Sequence, residues 1–515
     1  MRTLIMTLLL TFVCSGPVLA AEHARGVVFD DRNHNGLRDD GEPGIAGVAV
    51  SNGEQVVLTD DDGRYELSVD DDTIVFVCKP SGWMTPVSPL GLPRFYYVHK
   101  PAGSPKLRFA GVAPTGELPD SVDFALYQRE EPRAFHMVAF GDSQPASIQD
   151  VHYYMNDIVA EVAGVDAKFG VSLGDLVGNN LALFEPLNEV NGTIGLPWYY
   201  VIGNHDLNFD AADDARSDET FERVYGPTYY SFDYADVHFV VLDNVHWTGP
   251  RDGERGRYVG LFGARQLAWM ENDLKHVPRE KLVVCMFHIP LASVDDRDAF
   301  LDVLGDRPRQ LSLAAHWHRQ GHVDVSGGRS ASSPAHHHFV VGTTSGSWWR
   351  GAPDEYGLPH TQMSDGTPNG WLLVRFDGDE YSWRYKAARR PWDFQMSVFA
   401  PDVVSPEHCA ETQVFVNFFA GSDRARVEMR IGDRPWRPLE KVAAPDPFYV
   451  ATREREQKAA TPGVRVSPEP RDSTHLWRAK LGESLTPGAY AIEVRATDMF
   501  GQTYTARRVM RVARD

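Results

Sequence analysis

The chain has 515 residues, more than one hydrophobic core holds, and its length points to about three domains. With 43% hydrophobic and 24% charged residues, its composition is that of a soluble globular protein. Its 51 basic against 71 acidic residues leave a net charge of -20. That balance excludes a general nucleic-acid binder but not an anionic substrate, because bound cations dominate a local field.

The first residues read as an export signal. Arg2 supplies the positive end, Leu4 to Val13 the apolar stretch and Val18-Leu19-Ala20 the cleavage site. Residues 1–21 are therefore expected to be removed and the protein secreted, into a periplasm. No later run reaches about 18 apolar residues, so no transmembrane segment is expected. Thr11-Phe12-Val13 lacks the small residues that precede a lipidated cysteine, so lipid anchoring at Cys14 is not expected. Of the remaining cysteines, Cys285 lies in the apolar run 282–287 and reads as core, while Cys78 and Cys409 lie far apart, in different expected domains; an oxidising compartment would permit a bridge between them, but nothing in the sequence supports one.

Residues 22–128 read as an N-terminal β-sandwich-like domain, with strands at Gly26–Phe29, Gly47–Val50, Arg64–Leu67 and Thr73–Val77 separated by acidic and glycine turns. A Pro/Gly-rich stretch from Pro80 to Pro114 is expected to lead outward. Within this block Asp31, Asn33, Asn35, Asp39 and Glu42 match the spacing of a calcium loop, although a strand rather than a helix precedes it.

Residues 129–395 alternate strands and helices. Strands are expected at His136–Phe140, Lys168–Leu173, Trp198–Ile202, Lys281–Phe287, Leu311–Ala315 and His337–Val341, with helices at Ile148–Val162 and Ala264–His276 and a hairpin at Tyr229–Leu242 turning at Ala235-Asp236. Residues 396–515 read as a C-terminal β-sandwich, with strands at Gln413–Phe419, Ala425–Ile431, Ala489–Ala496 and Thr503–Val512.

Five short segments of the middle block, most of them ending apolar runs, carry metal-ligand chemistry. They are Gly141-Asp142-Ser143-Gln144, Gly174-Asp175, Gly203-Asn204-His205-Asp206, His288 and His316-Trp317-His318. Two divalent metals about 3.5–4 Å apart need a bridging carboxylate plus oxygen and imidazole ligands. Asp175 suits the bridge. Asp142 and Gln144 can turn towards one metal, and His316 and His318 can each face a different one. Asn204 offers an amide oxygen. His205 follows it directly and is expected to enter the site as a general acid without ligating.

These segments resemble the calcineurin-like metallophosphoesterases, whose pattern is D-x-H, G-D, G-N-H-D, a lone H and G-H-x-H. The resemblance implies an α/β (α+β) four-layer fold of two stacked sheets flanked by helices. It implies that Asp142, Gln144, Asp175 and His318 bind one metal ion and Asp175, Asn204, His288 and His316 the other, with Mn, Mg, Fe or Zn as the ions. A metal-bridging hydroxide would attack the phosphorus of a phosphate-ester substrate, monoester or diester, and His205, oriented by Asp206, would protonate the leaving oxygen. Gln144 replaces the pattern's His and Ala315 its Gly. Some branches of the family carry Gln there, so the change reads as a subclass mark, and His at 144 is expected to tighten metal binding. The flanking β-blocks resemble domains found beside a secreted subgroup of this family.

Trp348, Trp349 and Arg350 in a Gly-rich loop, with Asn369 in the following turn, are candidate substrate contacts. His336-His337-His338 is expected to alternate across a strand with one ring near the site. The alternative reading is a secreted binding or adhesion module around a weakened phosphoesterase core. Loss of Asp142, Asp175 or His316 would favour it, and all three are present.

Overall fold

A computed structural model describes residues 22–251, 254–325, 336–482 and 484–513, so the export signal lies outside the described residues. The apolar runs of the middle block form two stacked sheets. In the first, Trp198–Val201, Phe169–Leu173 and Ala134–Phe140 lie parallel, and the hairpin of Gly370–Asp377 and Glu380–Ala387 extends it antiparallel. The second runs Tyr230–Tyr234, Val237–Val241, Leu282–Met286, Gln310–Ala314, His337–Val340 and Gly321–Asp324. Parallel strands covered on both faces need apolar residues throughout, and Leu282–Met286 is buried along its whole length. Between the sheets, Phe135 meets Tyr234 at 4.4 Å, Phe169 meets Phe239 at 5.2 Å and Phe239 meets Phe376 at 5.5 Å between ring centroids.

Helices complete the four layers. Ile148–Tyr154 and Phe184–Gly192 cover the first sheet, with Tyr154 edge-on to Phe140. Ala264–Leu274 and Arg297–Leu304 cover the second, with Phe300 against Phe287. The helix expected over 148–162 contains a π-turn at Met155–Val159. That turn includes the buried Asp157, which takes hydrogen bonds or ion pairs from Asn369 and Arg389.

The N-terminal domain has two four-stranded sheets. One orders Arg64–Val69, Glu22–Asp30, Phe124–Gln128 and Trp83–Met84; the other orders Val56–Leu58, Ala49–Ser51, Thr73–Val77 and Tyr96–His99. The Pro/Gly-rich stretch does not lead outward. It docks on the catalytic block, where Trp198 N–H donates to Gly91 O and Phe95 packs on Tyr230 at 4.8 Å. Apolar side chains there outweigh the loop-like composition.

The C-terminal domain packs a four-stranded sheet (Met396–Phe399, Gln413–Phe418, Asp472–Lys480, Glu440–Pro445) on a five-stranded one (Val403–Val404, Thr503–Val512, Gly488–Thr497, Arg426–Ile431, Arg437–Pro438). It also holds an unanticipated helix, Pro447–Ala459, with Asp446 accepting from the N–H groups of Phe448 and Tyr449 and Pro447 in the first turn. Cys78, Cys285 and Cys409 are all free and buried, so the Cys78–Cys409 pair does not form: the two lie in separate hydrophobic cores. Among the described residues no helix is long and apolar enough to cross a membrane.

Candidate metal centre

Asp142, Asp175, Asn204, His288 and His316 all follow the C-terminal ends of parallel strands, the edge where open α/β sheets carry their sites. Asp142, Gln144, Asp175, His316 and His318 all have positive φ, between 31° and 69°. Non-glycine residues are costly there, on the order of 1–3 kcal/mol each, and such strain clusters at functional sites. Two glycines are required by close approach: a Cβ on Gly203 would lie 1.9 Å from Asp175 N, and one on Gly174, at φ +86°, would lie 2.5 Å from His288 Nδ1. Ala315 is not among the positive-φ residues, so its departure from glycine carries no backbone cost.

The side chains converge. His288 Nδ1 donates to Leu173 O at 2.8 Å, which turns Nε2 inward to Asp175 Oδ1 (3.2 Å), Asn204 Oδ1 (3.1 Å) and His316 Nδ1 (3.1 Å). Ligand atoms of Asp175, His288 and His316 all lie within 4.8 Å of one another. On the other side, Gln144 Nε2 donates to Asp175 Oδ2 at 2.7 Å, and His318 Nε2 lies 3.7 Å from Asp142 Oδ1. His318 Nδ1 is held by Gly346 O at 2.6 Å, an arrangement that fixes a ligating tautomer. Asp142 Oδ1 and Gln144 Oε1 are buried without a hydrogen-bond partner.

The electrostatics favour cations. Burial, reinforced by Asp175, pushes the Asp142 carboxyl well above its ordinary value against the opposing pull of His288. Burial opposes ionisation of Asp175 too, yet His288 and its neighbours hold it far below the usual carboxylate range. Burial would lower His288, but Asp175 raises it to about 9. Burial, with the His288 charge, lowers His316 to about 3, and burial lowers His318 to about 4, so both rings present neutral nitrogens. Carboxylate oxygens, two amide oxygens and imidazole nitrogens in one largely buried cleft, two of the oxygens without a hydrogen-bond partner, are a donor set that fits divalent ions.

Asp206 does not orient His205. It is fully buried and accepts from the N–H groups of Leu176, Val177 and Gly203, which closes the Gly203–Asp206 turn over the Asp175 loop. Burial and then Asp175 push it up to about 8, against those three bonds. His205 Nδ1 instead meets Asn179 Oδ1 at 2.6 Å, and Nε2 lies 4.0 Å from Asp175 Oδ2. Asn179 went unread in the sequence. Its signal was an Asn in a Gly178-Asn179-Asn180 turn four residues past Asp175, and its φ is 67°.

The Gly-rich loop divides. Trp348 is 37% exposed and stacks on His318 at 4.2 Å, and the Arg350 guanidinium lies 5.4 Å from the Trp348 ring centre. Trp349 is buried and donates from Nε1 to Ser143 O, so it supports the Asp142–Gln144 segment instead of facing substrate. Asn369 is buried too and gives its amide to Asp157 and Thr344. The expected alternation of the histidine tract is present, but its rings bond other partners than the candidate ligands. His336 and His338 share Ser312, and His337 meets Tyr381 and His322.

In the N-terminal loop, Asp31 accepts from the N–H groups of Asn35 and Gly36, Glu42 from those of Arg32 and Asp39, and Asp39 from the Asn33 and Asn35 amides. The loop is thus closed by its own hydrogen bonds, and among the described residues its carboxylates are not gathered into a metal-sized cluster.

Known proteins resemble the chain in all three blocks. The model of the calcineurin-like phosphoesterase matches residues 135–320, that of the N-terminal domain of calcineurin-like phosphoesterase residues 32–111, and that of the C-terminal domain residues 338–504. No curated protein matches the sequence. Among solved structures, a purple acid phosphatase from yellow lupin (Lupinus luteus) seeds is similar over 67% of this chain and 69% of its own, at 11% identity and a TM-score of 0.37. The spore cortex lytic enzyme SleM of Clostridium perfringens is similar over 75% of this chain and 100% of its own, at 10% identity and a TM-score of 0.15.

Proposed function

The chain belongs to the calcineurin-like phosphoesterase family and is a metal-dependent hydrolase of phosphate esters; from that premise we propose a two-metal mechanism at the cleft built by Asp142, Gln144, Asp175, Asn204, His288, His316 and His318. The observation that carries the proposal is the convergence of these seven side chains, with Asp142 Oδ1 and Gln144 Oε1 buried and unpartnered. Asp142, Gln144, Asp175 and His318 would hold one ion and Asp175, Asn204, His288 and His316 the other, Asp175 serving both. Bound divalent ions supply an activated water and offset the negative charge that develops on the phosphoryl oxygens.

The remaining work falls to the protein. Nδ1 of His205 lies against Asn179 Oδ1, which leaves Nε2 at the mouth of the cleft, and in its doubly protonated form the ring would give the Nε2 proton to the leaving oxygen and stay as the neutral Nδ1–H imidazole. Trp348 walls the side next to His318, and Arg350 beside it offers a cation to the substrate's free phosphate oxygens. Gln144 in place of imidazole favours Mn²⁺ or Mg²⁺ over Zn²⁺ at the first position. We also propose, from the N-terminal pattern alone, that the protein works after export.

Hydrolysis of p-nitrophenyl phosphate and bis-p-nitrophenyl phosphate by metal-free protein, with Mn²⁺, Mg²⁺, Fe²⁺ or Zn²⁺ added in turn, tests the reading. Turnover that needs metal and is lost in Asp175→Ala is expected, and the better substrate assigns monoester or diester. No turnover with any metal, and no bound metal by elemental analysis, overturns the two-metal proposal.

A further inference from the structure

Gln320 stands two residues past His318, and every polar group of its side chain is committed. Oε1 accepts from Gly342 N–H at 3.1 Å and Nε2 donates to Phe419 O at 2.7 Å, in the C-terminal domain. Its backbone N–H donates to Asp365 Oδ2 at 2.8 Å. That same oxygen lies 3.2 Å from His475 Nε2, and His475 Nδ1 meets Asn417 Oδ1 at 2.7 Å. Asn417 in turn donates to Asp365 O and to Asp446, the cap of helix Pro447–Ala459. Gln320, Asp365, Asn417, His475 and Asp446 are each at most 3% exposed.

A chain of polar groups this deep is an expensive way to join two domains. Apolar residues of similar size would serve at least as well for stability. What it supplies is direction. His316 and His318 hold positive φ, a conformation the turn will leave unless its surroundings fix it. A second tie reaches His318 from the same segment. Gly346 O, its Nδ1 acceptor, also takes the Thr343 hydroxyl, and the neighbouring Ser345 O and Ser347 N–H both bond Thr361 Oγ1, four residues before Asp365. Gly366 allows the approach, since a Cβ there would lie 2.5 Å from Asp446 Cβ.

We propose that Asp365, Gln320 and His475 are positioning residues, through which the C-terminal domain holds the His316–His318 turn in its ligating geometry. The domain is then a working part of the metal centre. This inference rests on the metal-dependent phosphoesterase reading above.

The test compares full-length Asp365→Ala with Val494→Ala, which cuts into the C-terminal core without touching the network. Mn²⁺ affinity is measured by calorimetric titration of metal-free protein, beside Tm and p-nitrophenyl phosphate turnover. Asp365→Ala is expected to weaken Mn²⁺ binding by about 10–100-fold, the usual effect of losing a group that orients a ligand, while Val494→Ala loses Tm but binds as the parent does. If Asp365→Ala does not fold, Gln320→Ala takes its place with the same expectation. Affinity unchanged in the network variant, or lowered equally in both in step with Tm, overturns the positioning role and leaves the phosphoesterase reading intact. A parent protein that neither binds Mn²⁺ nor hydrolyses ester overturns both.

Discussion

The N-terminal domain shares one hydrophobic core with the catalytic block, with buried ion pairs beside it, whereas the C-terminal domain keeps a core of its own and meets the block through a buried polar chain flanked by Phe419 on Tyr385 and Phe500 on Trp383. Val50 and Phe76 of the first domain belong to the same hydrophobic core as Phe239 and Trp269 of the catalytic sheets and helices. Trp269 packs on Phe76, gives its indole N–H to Ser51, and the backbone of Lys79 pairs with the edge strand at Phe232. The C-terminal domain keeps a core of its own around Val494 and Trp477. A shared core resists being split because burial is non-directional and cumulative. A polar junction contributes less to stability and more to orientation, because each bond works only at one geometry. On this contrast the first domain stabilises the enzyme and the last one aligns its ligands.

The sharpest way to break that contrast is at the first junction. Lys79 and Glu131 form a salt bridge in which both side chains are 2% exposed, and Glu131 also accepts from Gly82 and Ala235. Lys79→Ala leaves that carboxylate unpaired and should cost about 3–5 kcal/mol. Melting followed by tryptophan fluorescence and by activity should still show the N-terminal domain and the catalytic block unfolding together, apart from any transition of the C-terminal domain. A transition of the N-terminal domain separate from the loss of activity would mean that it is an independent unit.

Acidity supplies the next effect. His238 sits between Asp273 and Asp233, and these carboxylates raise it to about 9 against its burial. Its folded value lies above the unfolded one, so its stabilisation is complete below about pH 6.5 and is lost as pH rises through 9, on the order of 2–3 kcal/mol. Chemical denaturation at pH 6 and pH 9.5 should show the loss, and His238→Gln should flatten it.

Val494→Ala should cost about 1.5–2 kcal/mol for the apolar groups removed, and should lower a separate C-terminal transition first. A single transition shifted as a whole would erase the difference between the two junctions. The smallest effect belongs to the cleft: Asn179→Ala should lower kcat about tenfold with KM little changed, because it frees the His205 ring without touching a ligand. An equal loss in Asp206→Asn with none in Asn179→Ala would return the orienting role to Asp206.

The strands and the gathering of the candidate ligands were legible because both signals are local. Leu282 to Met286 is apolar at every position, and His288 follows two residues later. Asn179 was not legible because its partner is chosen by a turn in space, whereas Asp206 was adjacent in sequence and drew the role by proximity. The helix Pro447–Ala459 did carry a signal, an Asp446-Pro447 pair suited to a helix start, but its apolar face is weak and it is anchored by Asp446, the buried Tyr449 and Glu456. That network joins residues 320, 365, 417, 446 and 475, spacings to which no periodicity attaches.

The positive φ at Gln144 bears on how such a centre drifts over generations. Asn, Asp and His enter that backbone region several-fold more readily than other side chains, and β-branched residues hardly enter it. An exchange of Gln144 for His is therefore open from the backbone's side, and the difference between the two lies in their ligand chemistry. Val or Ile at the same position would lose the ligand and distort the loop together, which leaves a narrow alphabet of viable neighbours. At Gln144 the backbone angle and the ligand role thus restrict the same position.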